Sequence, residues 1–211
     1  MQGYYAARAP EYDRIYLKPE RQADLRKLEA WLPTCFTSRK VLEVAAGTGY
    51  WTQFVAPHAA SMVITDGASE TLEIARQRVK GDQHAFTVAD AYALPASLGQ
   101  FDATLVGFWL SHVPCSRLKD FFASLHARLQ PGAVVVMLDN LYVEGSSHAI
   151  SERDTEGNTY QTRQLDDGSI HRVLKNFPDE QRLRAMIEGL GVQAQYRRYD
   201  YFWTFEYQAA A

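Results

Sequence analysis

Val41-Leu42-Glu43-Val44-Ala45-Ala46-Gly47-Thr48-Gly49-Tyr50-Trp51 joins an apolar run to a turn of small residues. Val41 to Val44 is an apolar run interrupted by one acid, Glu43, as in a short strand buried on both faces. Gly47 and Gly49 stand two apart in a turn of small residues, and Trp51-Thr52-Gln53-Phe54-Val55 then reads as a helix start. A strand, a glycine turn and a helix N-terminus, in that order, let the backbone approach a ligand closely and present N–H groups to its polar or anionic atoms. A nucleotide-type cofactor site is expected there.

Working outward, strands and helices alternate. Pro19 opens a helix over Glu20–Leu32 that Pro33 stops. Ser61–Asp66 is a second buried strand, and Ser69 is placed to cap a helix from Glu70 to Val79. Ala85–Val88 and Phe101–Gly107 read as further strands. Ser116 is placed to cap a helix to Leu129, where Leu118, Phe121, Phe122, Leu125 and Leu129 recur at helical spacing and Pro131-Gly132 ends the pattern. Ala133–Leu138 is a fifth, continuously apolar strand. This alternation predicts an α/β, doubly wound parallel sheet covered on both faces, with ligands beyond the C-terminal strand ends. Glu43, Asp66, Asp90, the Phe108–His112 loop and Asp139 all fall at such ends.

The 211 residues are 46% hydrophobic, enough for one well-filled domain over 1–211. A formal net charge of −3 argues against nucleic acid as a partner. Cys35 and Cys115 read as free thiols, no apolar run approaches membrane-spanning length, and no signal peptide is legible. A cytoplasmic protein without a membrane partner is expected. Residues 1–33 read as an N-terminal lid and helix, in which Tyr4, Tyr5, Tyr12 and Tyr16 crowd with Arg8 and Arg14. Residues 141–177 read as an insertion. Its Asp166-Asp167-Gly168-Ser169 signals a hairpin. A two-residue turn there sets Arg163 opposite Arg172, Gln164 opposite His171 and Tyr160 opposite Lys175. The chain closes with a helix over Asp179–Leu190 and strands over Val192–Tyr199 and Tyr201–Tyr207.

Two cofactors compete for the turn. A dinucleotide site asks for G-x-G-x-x-G, but Thr52 stands where the third glycine belongs, and Glu43 would repel a pyrophosphate. S-adenosylmethionine has no phosphate and carries an ammonium and a sulfonium, so it tolerates a nearby carboxylate. Asp66 is placed to accept bonds from ribose hydroxyls, and Asp90, with the backbone of Ala91 alongside, from an adenine amino group.

The segment Val41–Trp51, Asp66, Asp90-Ala91, the Phe101–Gly107 strand and the Leu129-Gln130-Pro131-Gly132 turn resemble the ordered motifs of class I S-adenosylmethionine-dependent methyltransferases. The resemblance covers residues 4–140 and the terminal hairpin. It implies a seven-stranded Rossmann-like sheet of order 3-2-1-4-5-7-6 with the last strand antiparallel. Ala45 departs from it, since the family usually has a glycine there, and so does Gly67, where larger residues are usual. The cofactor residues it implies are Tyr5, Arg8, Tyr12, Glu43, Ala45, Gly47, Thr48, Gly49, Trp51, Asp66, Gly67, Asp90, Ala91 and Phe108.

For the acceptor, the loop Phe108-Trp109-Leu110-Ser111-His112-Val113-Pro114 follows the fourth strand, and His112 is the candidate base or hydrogen-bond partner. Asp139-Asn140 offers too few ligands for a metal, and none is expected. Tyr4-Tyr5, Arg8, Glu11-Tyr12-Asp13, Trp109-Leu-Ser-His112-Val-Pro114 and Asp167-Gly…Arg172…Lys175…Phe177 are similar to the small-molecule, phosphonate-type O-methyltransferases. The resemblance implies an aromatic lid and an anion contact at Lys175. Tyr16, Trp109, His112, Arg163, His171 and Lys175 are therefore the expected substrate residues. The expected activity is methyl transfer to an oxygen of a small, anionic or polar metabolite. An N-methyltransferase, a non-catalytic S-adenosylmethionine-binding protein and a nicotinamide-dependent reductase are the alternatives. The basic hairpin face is equally readable as solvated surface or as a homodimer contact.

Overall fold

The computed structural model describes residues 9–210, with side chains from Asp13 onward. After a 3-10 segment over Ala9–Leu17 come α1 (Gln22–Trp31), β1 (Lys40–Val44), α2 (Thr52–Val55), β2 (Ser61–Asp66), α3 (Ser69–Arg78), β3 (His84–Val88) and β4 (Phe101–Gly107). Then follow α4 (Leu118–His126), β5 (Leu129–Asn140), β6 (Glu152–Arg153), β7 (Thr159–Gln164), β8 (Ile170–Leu174), α5 (Glu180–Met186), β9 (Gly191–Arg198) and β10 (Phe202–Ala209). Among the described residues no helix is long and apolar enough to cross a membrane.

Seven strands form one sheet in the order β3-β2-β1-β4-β5-β10-β9, as expected, with β10 antiparallel to β5. Strand order reverses between β1 and β4, so the crevice for a ligand opens where their C-terminal ends diverge. Both faces are covered. Along β5, Val135 and Met137 join one core with Phe121 and Leu125 of α4, while Val136 and Leu138 join the other with Leu25 and Leu28 of α1. This period-two split of an unbroken apolar run is what a central strand buried on both faces requires.

Several boundaries differ from expectation. Ser69 is not a cap but the first helical residue after Ala68, and Arg117, not Ser116, precedes α4. Strand β5 starts at Leu129, ahead of the apolar run, because Phe101 pairs with Leu129 before the register shifts around Gly132. Helix α5 is shorter than expected, and Asp179 caps it through a bond from the Arg182 N–H at 2.8 Å.

The insertion is a three-stranded sheet, β6-β7-β8, not a hairpin alone. Its register is also one residue off the expected one: Arg163 faces His171, Thr162 faces Arg172 and Tyr160 faces Leu174. The cause is the turn. Leu165 and Ser169 close it, with Gly168 at φ 83°, which makes a three-residue loop ending in a left-handed glycine. A one-residue slip moves side chains to the opposite face. Arg172 thus leaves Arg163 and forms a two-pronged pair with Glu152 of β6 at 2.8 and 2.8 Å.

Candidate functional site

The turn after β1 is built on left-handed backbone. Ala45 has φ 57°, Gly47 57° and Gly49 74°. Gly49 is required by packing as well, since a Cβ there would stand 2.9 Å from the Ala75 Cβ of α3. Ala45 holds, at a cost of about 1 kcal/mol, a left-handed conformation that glycine adopts readily. Asp66, at the end of β2, clamps the turn. Its two carboxylate oxygens accept from the Gly47 N–H at 2.8 Å and the Ala68 N–H at 2.9 Å. Burial pushes the Asp66 carboxyl above its usual range, against these N–H bonds.

A cavity of about 420 Å³ opens in front of this turn. Ala45, Gly47, Asp66, Gly67, Asp90 and Ala91 line it, as do Phe108, Trp109 and His112 from the loop after β4. Asp90 is exposed, and one of its oxygens accepts from the Tyr92 N–H at 2.9 Å. Tyr92 and Arg117 complete the wall, with the guanidinium 3.5 Å from the Tyr92 ring centroid. Sequence reasoning passed over both. A solvent-facing tyrosine and the arginine before a helix carry no local signal.

Glu43, Thr48, Gly49 and Trp51 stand behind the cavity wall. Glu43 is 2% exposed and its Oε2 has no hydrogen-bond partner. Burial pushes its carboxyl up to about 8, with Asp66 adding to the shift. The Thr48 hydroxyl donates to Asp13 at 2.6 Å, and Arg78 of α3 pairs with the same carboxylate, so the N-terminal segment is tied onto the glycine turn. Trp51 stacks on Phe108 at 5.6 Å and donates from Nε1 to the Tyr16 hydroxyl at 3.1 Å. Tyr16 is 5% exposed, stacked on Tyr50 at 3.6 Å, and lines neither cavity. Tyr5 and Arg8 lie outside the described residues, as does the Tyr12 side chain.

A second, smaller pocket of about 70 Å³ adjoins the first across Phe108 and His112, which line both. Phe108 holds φ 57°, a conformation rare for an aromatic residue and found where function over-determines the backbone. The pocket is lined by Lys18, Arg21, Arg163 and Lys175, with His148 and Gln161, and among the described residues no carboxylate lines it. Arg21 is 6% exposed and donates to Asn140 Oδ1 at 2.8 Å and Ser146 Oγ at 3.0 Å, both neutral. Burial lowers the pKa of Arg21 and of Lys18, and the proximity of Arg21 lowers Lys18 further. Ser146 also donates to Glu20 at 2.7 Å, just outside the pocket.

Lys175 is buried, and its Nζ donates to Ser111 Oγ at 2.6 Å and to Asp139 Oδ1 at 2.8 Å. Burial pushes its pKa down while Asp139 pulls it up. Asp139 is thus the partner of a lysine, and among the described residues no group of three or more His, Cys, Asp or Glu is placed to hold a metal. The end of β8 is stitched to the His112 loop. Asn176 N–H donates to the Ser111 carbonyl at 2.7 Å, and His112 Nδ1 lies 2.6 Å from the Leu174 carbonyl. A carbonyl only accepts, so Nδ1 carries the proton and the lone pair of the neutral ring is on Nε2. Trp109 lines the cofactor cavity only, and His171 contacts Ser169 Oγ at 2.7 Å away from both cavities.

A left-handed turn and two acids at successive strand ends suit a ligand bearing ribose hydroxyls and positive charge. Sheet order and cavity are those of the Rossmann-like methyltransferase fold, and the cavity suits S-adenosylmethionine. Residues 41–132 match the methyltransferase domain model. Over 103 residues the chain is 37% identical to a demethylmenaquinone methyltransferase of Clavibacter sepedonicus, which is 47% of this chain and 40% of that relative. Among solved structures it is similar to the DhpI–SAH complex at 28% identity and a TM-score of 0.77, over 99% of this chain and 95% of that one. The DhpI–SAM–HEP complex matches at 28% identity and a TM-score of 0.76, over 97% and 94%. A Pyrococcus horikoshii OT3 protein, at 19% identity and a TM-score of 0.73 over 94% and 98%, shares the fold.

Proposed function

We propose that this chain methylates an oxygen of a small anionic acceptor held in the pocket beside the cofactor cavity. The observation that carries the reading is the charge of that pocket: Lys18, Arg21, Arg163 and Lys175 line it without a carboxylate. Asp139 balances Lys175, which leaves buried Arg21 and half-buried Lys18 and Arg163 as positive charge, with Glu20 outside the pocket as the nearby acid. Grouped cations that lose hydration need an anion to offset the cost.

Bound S-adenosylmethionine supplies a methyl carbon on a positively charged sulfur, open to in-line attack. The residues of this chain position the partners. Asp66 would hold the ribose hydroxyls, Asp90 with the Ala91 backbone the adenine amino group, and the Ala45–Gly49 turn the methionine end. Arg163, Lys175 and Arg21 would orient the acceptor anion, and Phe108 and His112 form the wall where the two meet. Such positioning can supply several kcal/mol of the barrier, on the order of 7–11 in well-oriented cases. An already ionised oxygen needs no base. For a hydroxyl acceptor, His112, which lines both cavities, is the candidate base.

The test is turnover with S-adenosylmethionine and, in turn, phosphonates, carboxylates, phenols and amines, reading S-adenosylhomocysteine. Acids are expected to release product. Release confined to amines would move the assignment to nitrogen. Cofactor binding with no release from any class would favour a non-catalytic binding protein.

A further inference from the structure

Three cavities lie in a row. The cofactor cavity and the basic pocket share Phe108 and His112, and the basic pocket shares Phe177 with a wider cleft of about 710 Å³. Tyr142, Ile150, Arg153 and Arg182 also line the cleft. Tyr142 and Phe177 meet edge to face, with centroids 5.3 Å apart and planes at 74°, so the shared wall is aromatic. Tyr142 is 41% exposed and Ile150 is half-buried, which leaves apolar surface open within the cleft. The carboxylate of the lining, Glu152, is held by both prongs of Arg172 at 2.8 and 2.8 Å. Arg153 of β6 and Arg182 of α5 therefore set its charge. The basic pocket, at about 70 Å³, has room for a head group of a few heavy atoms.

We propose that the acceptor is longer than its head group. The anionic head occupies the basic pocket, and a flat aryl body passes Phe177 into the cleft beside Tyr142 and Ile150. The apolar walls recognise the ring faces, and the two arginines suit an electron-rich outer end and disfavour a cationic one. This rests on reading the basic pocket as the acceptor site, and it adds a second subsite that selects among anionic acceptors by their tails.

Calorimetric titration of the full chain, preloaded with S-adenosylhomocysteine, with methylphosphonate and then benzylphosphonate tests it. Benzylphosphonate is expected to bind at least about ten-fold more tightly, the value of one well-placed aromatic contact. Tyr142→Ala should shrink that ratio to under about three-fold, by the same conversion. Retained S-adenosylhomocysteine affinity shows that the variant is folded, and Ile150→Asp takes its place if it is not. Equal affinities in the parent chain, or a preference that survives in the folded variant, would overturn the aryl subsite alone. Binding of neither phosphonate, with S-adenosylhomocysteine still bound, would overturn the basic-pocket reading and the subsite with it.

Discussion

Ala45 and Glu43 show how closely the cofactor turn is constrained. Ala45 sits at φ 57°, where a Cβ is unfavourable. Ala45→Gly should therefore raise unfolding free energy by about 0.5–1 kcal/mol in urea titrations, despite the extra freedom glycine gives the unfolded chain. A loss of similar size would show that the methyl packs favourably. Glu43 has its pKa raised from 4.5 to about 8 by burial, so the folded state holds a proton that the unfolded state releases. Stability from this group is intact below about pH 4.5, declines as pH rises toward 8, and is flat above. Glu43→Gln should flatten that slope, as read from denaturation midpoints across the window. An unchanged slope would assign it to other groups. Both residues fall in the stretch the sequence marks as a strand and glycine turn, and the structure puts Ala45 on the cavity wall and Glu43 behind it. The strain at Ala45 was not legible, because a φ angle is written in no local pattern that an alanine carries.

The three-stranded insertion is the element that sequence reasoning read least well. Its Asp-Gly signal located a turn but did not choose between two- and three-residue loops, and that choice set the register. Strand β6 pairs over only Glu152 and Arg153, too short to show alternation. Lys175 was expected to contact an anion. It does line the basic pocket, yet its ammonium is also one half of a buried pair with Asp139 that docks the insertion on β5. Lys175→Ala would strand a buried carboxylate and should cost about 3 kcal/mol of stability. Its effect on the acceptor's Michaelis constant has to be read below the new melting point. Arg163→Gln, which leaves that pair intact, should raise the Michaelis constant of an acidic acceptor about ten-fold or more with cofactor affinity retained. Equal loss for amine and acid acceptors would remove Arg163 from the anion site.

Over the whole molecule, the sheet order and the acids at its strand ends were readable, since buried parallel strands and their alternation with helices leave period and punctuation in the chain. The acceptor pocket was only partly readable. Lys18 and Arg21 precede β1, while Arg21 binds Asn140, which ends β5, and Ser146, which follows it. Only the folded sheet brings them together, beyond the C-terminal ends of β4 and β5. That placement sets the S-adenosylmethionine cavity against a basic pocket, across which, in the function we propose, a methyl group passes to an anionic oxygen. Following a labelled methyl group from S-adenosylmethionine into a mixture of phosphonates, carboxylates and amines tests this most directly. Label is expected in the O-methyl ester of a phosphonate or carboxylate, identified by mass, and suppressed in Arg163→Gln. Label in a base-stable N-methyl amine, or none in any acceptor while the cofactor binds, would contradict it.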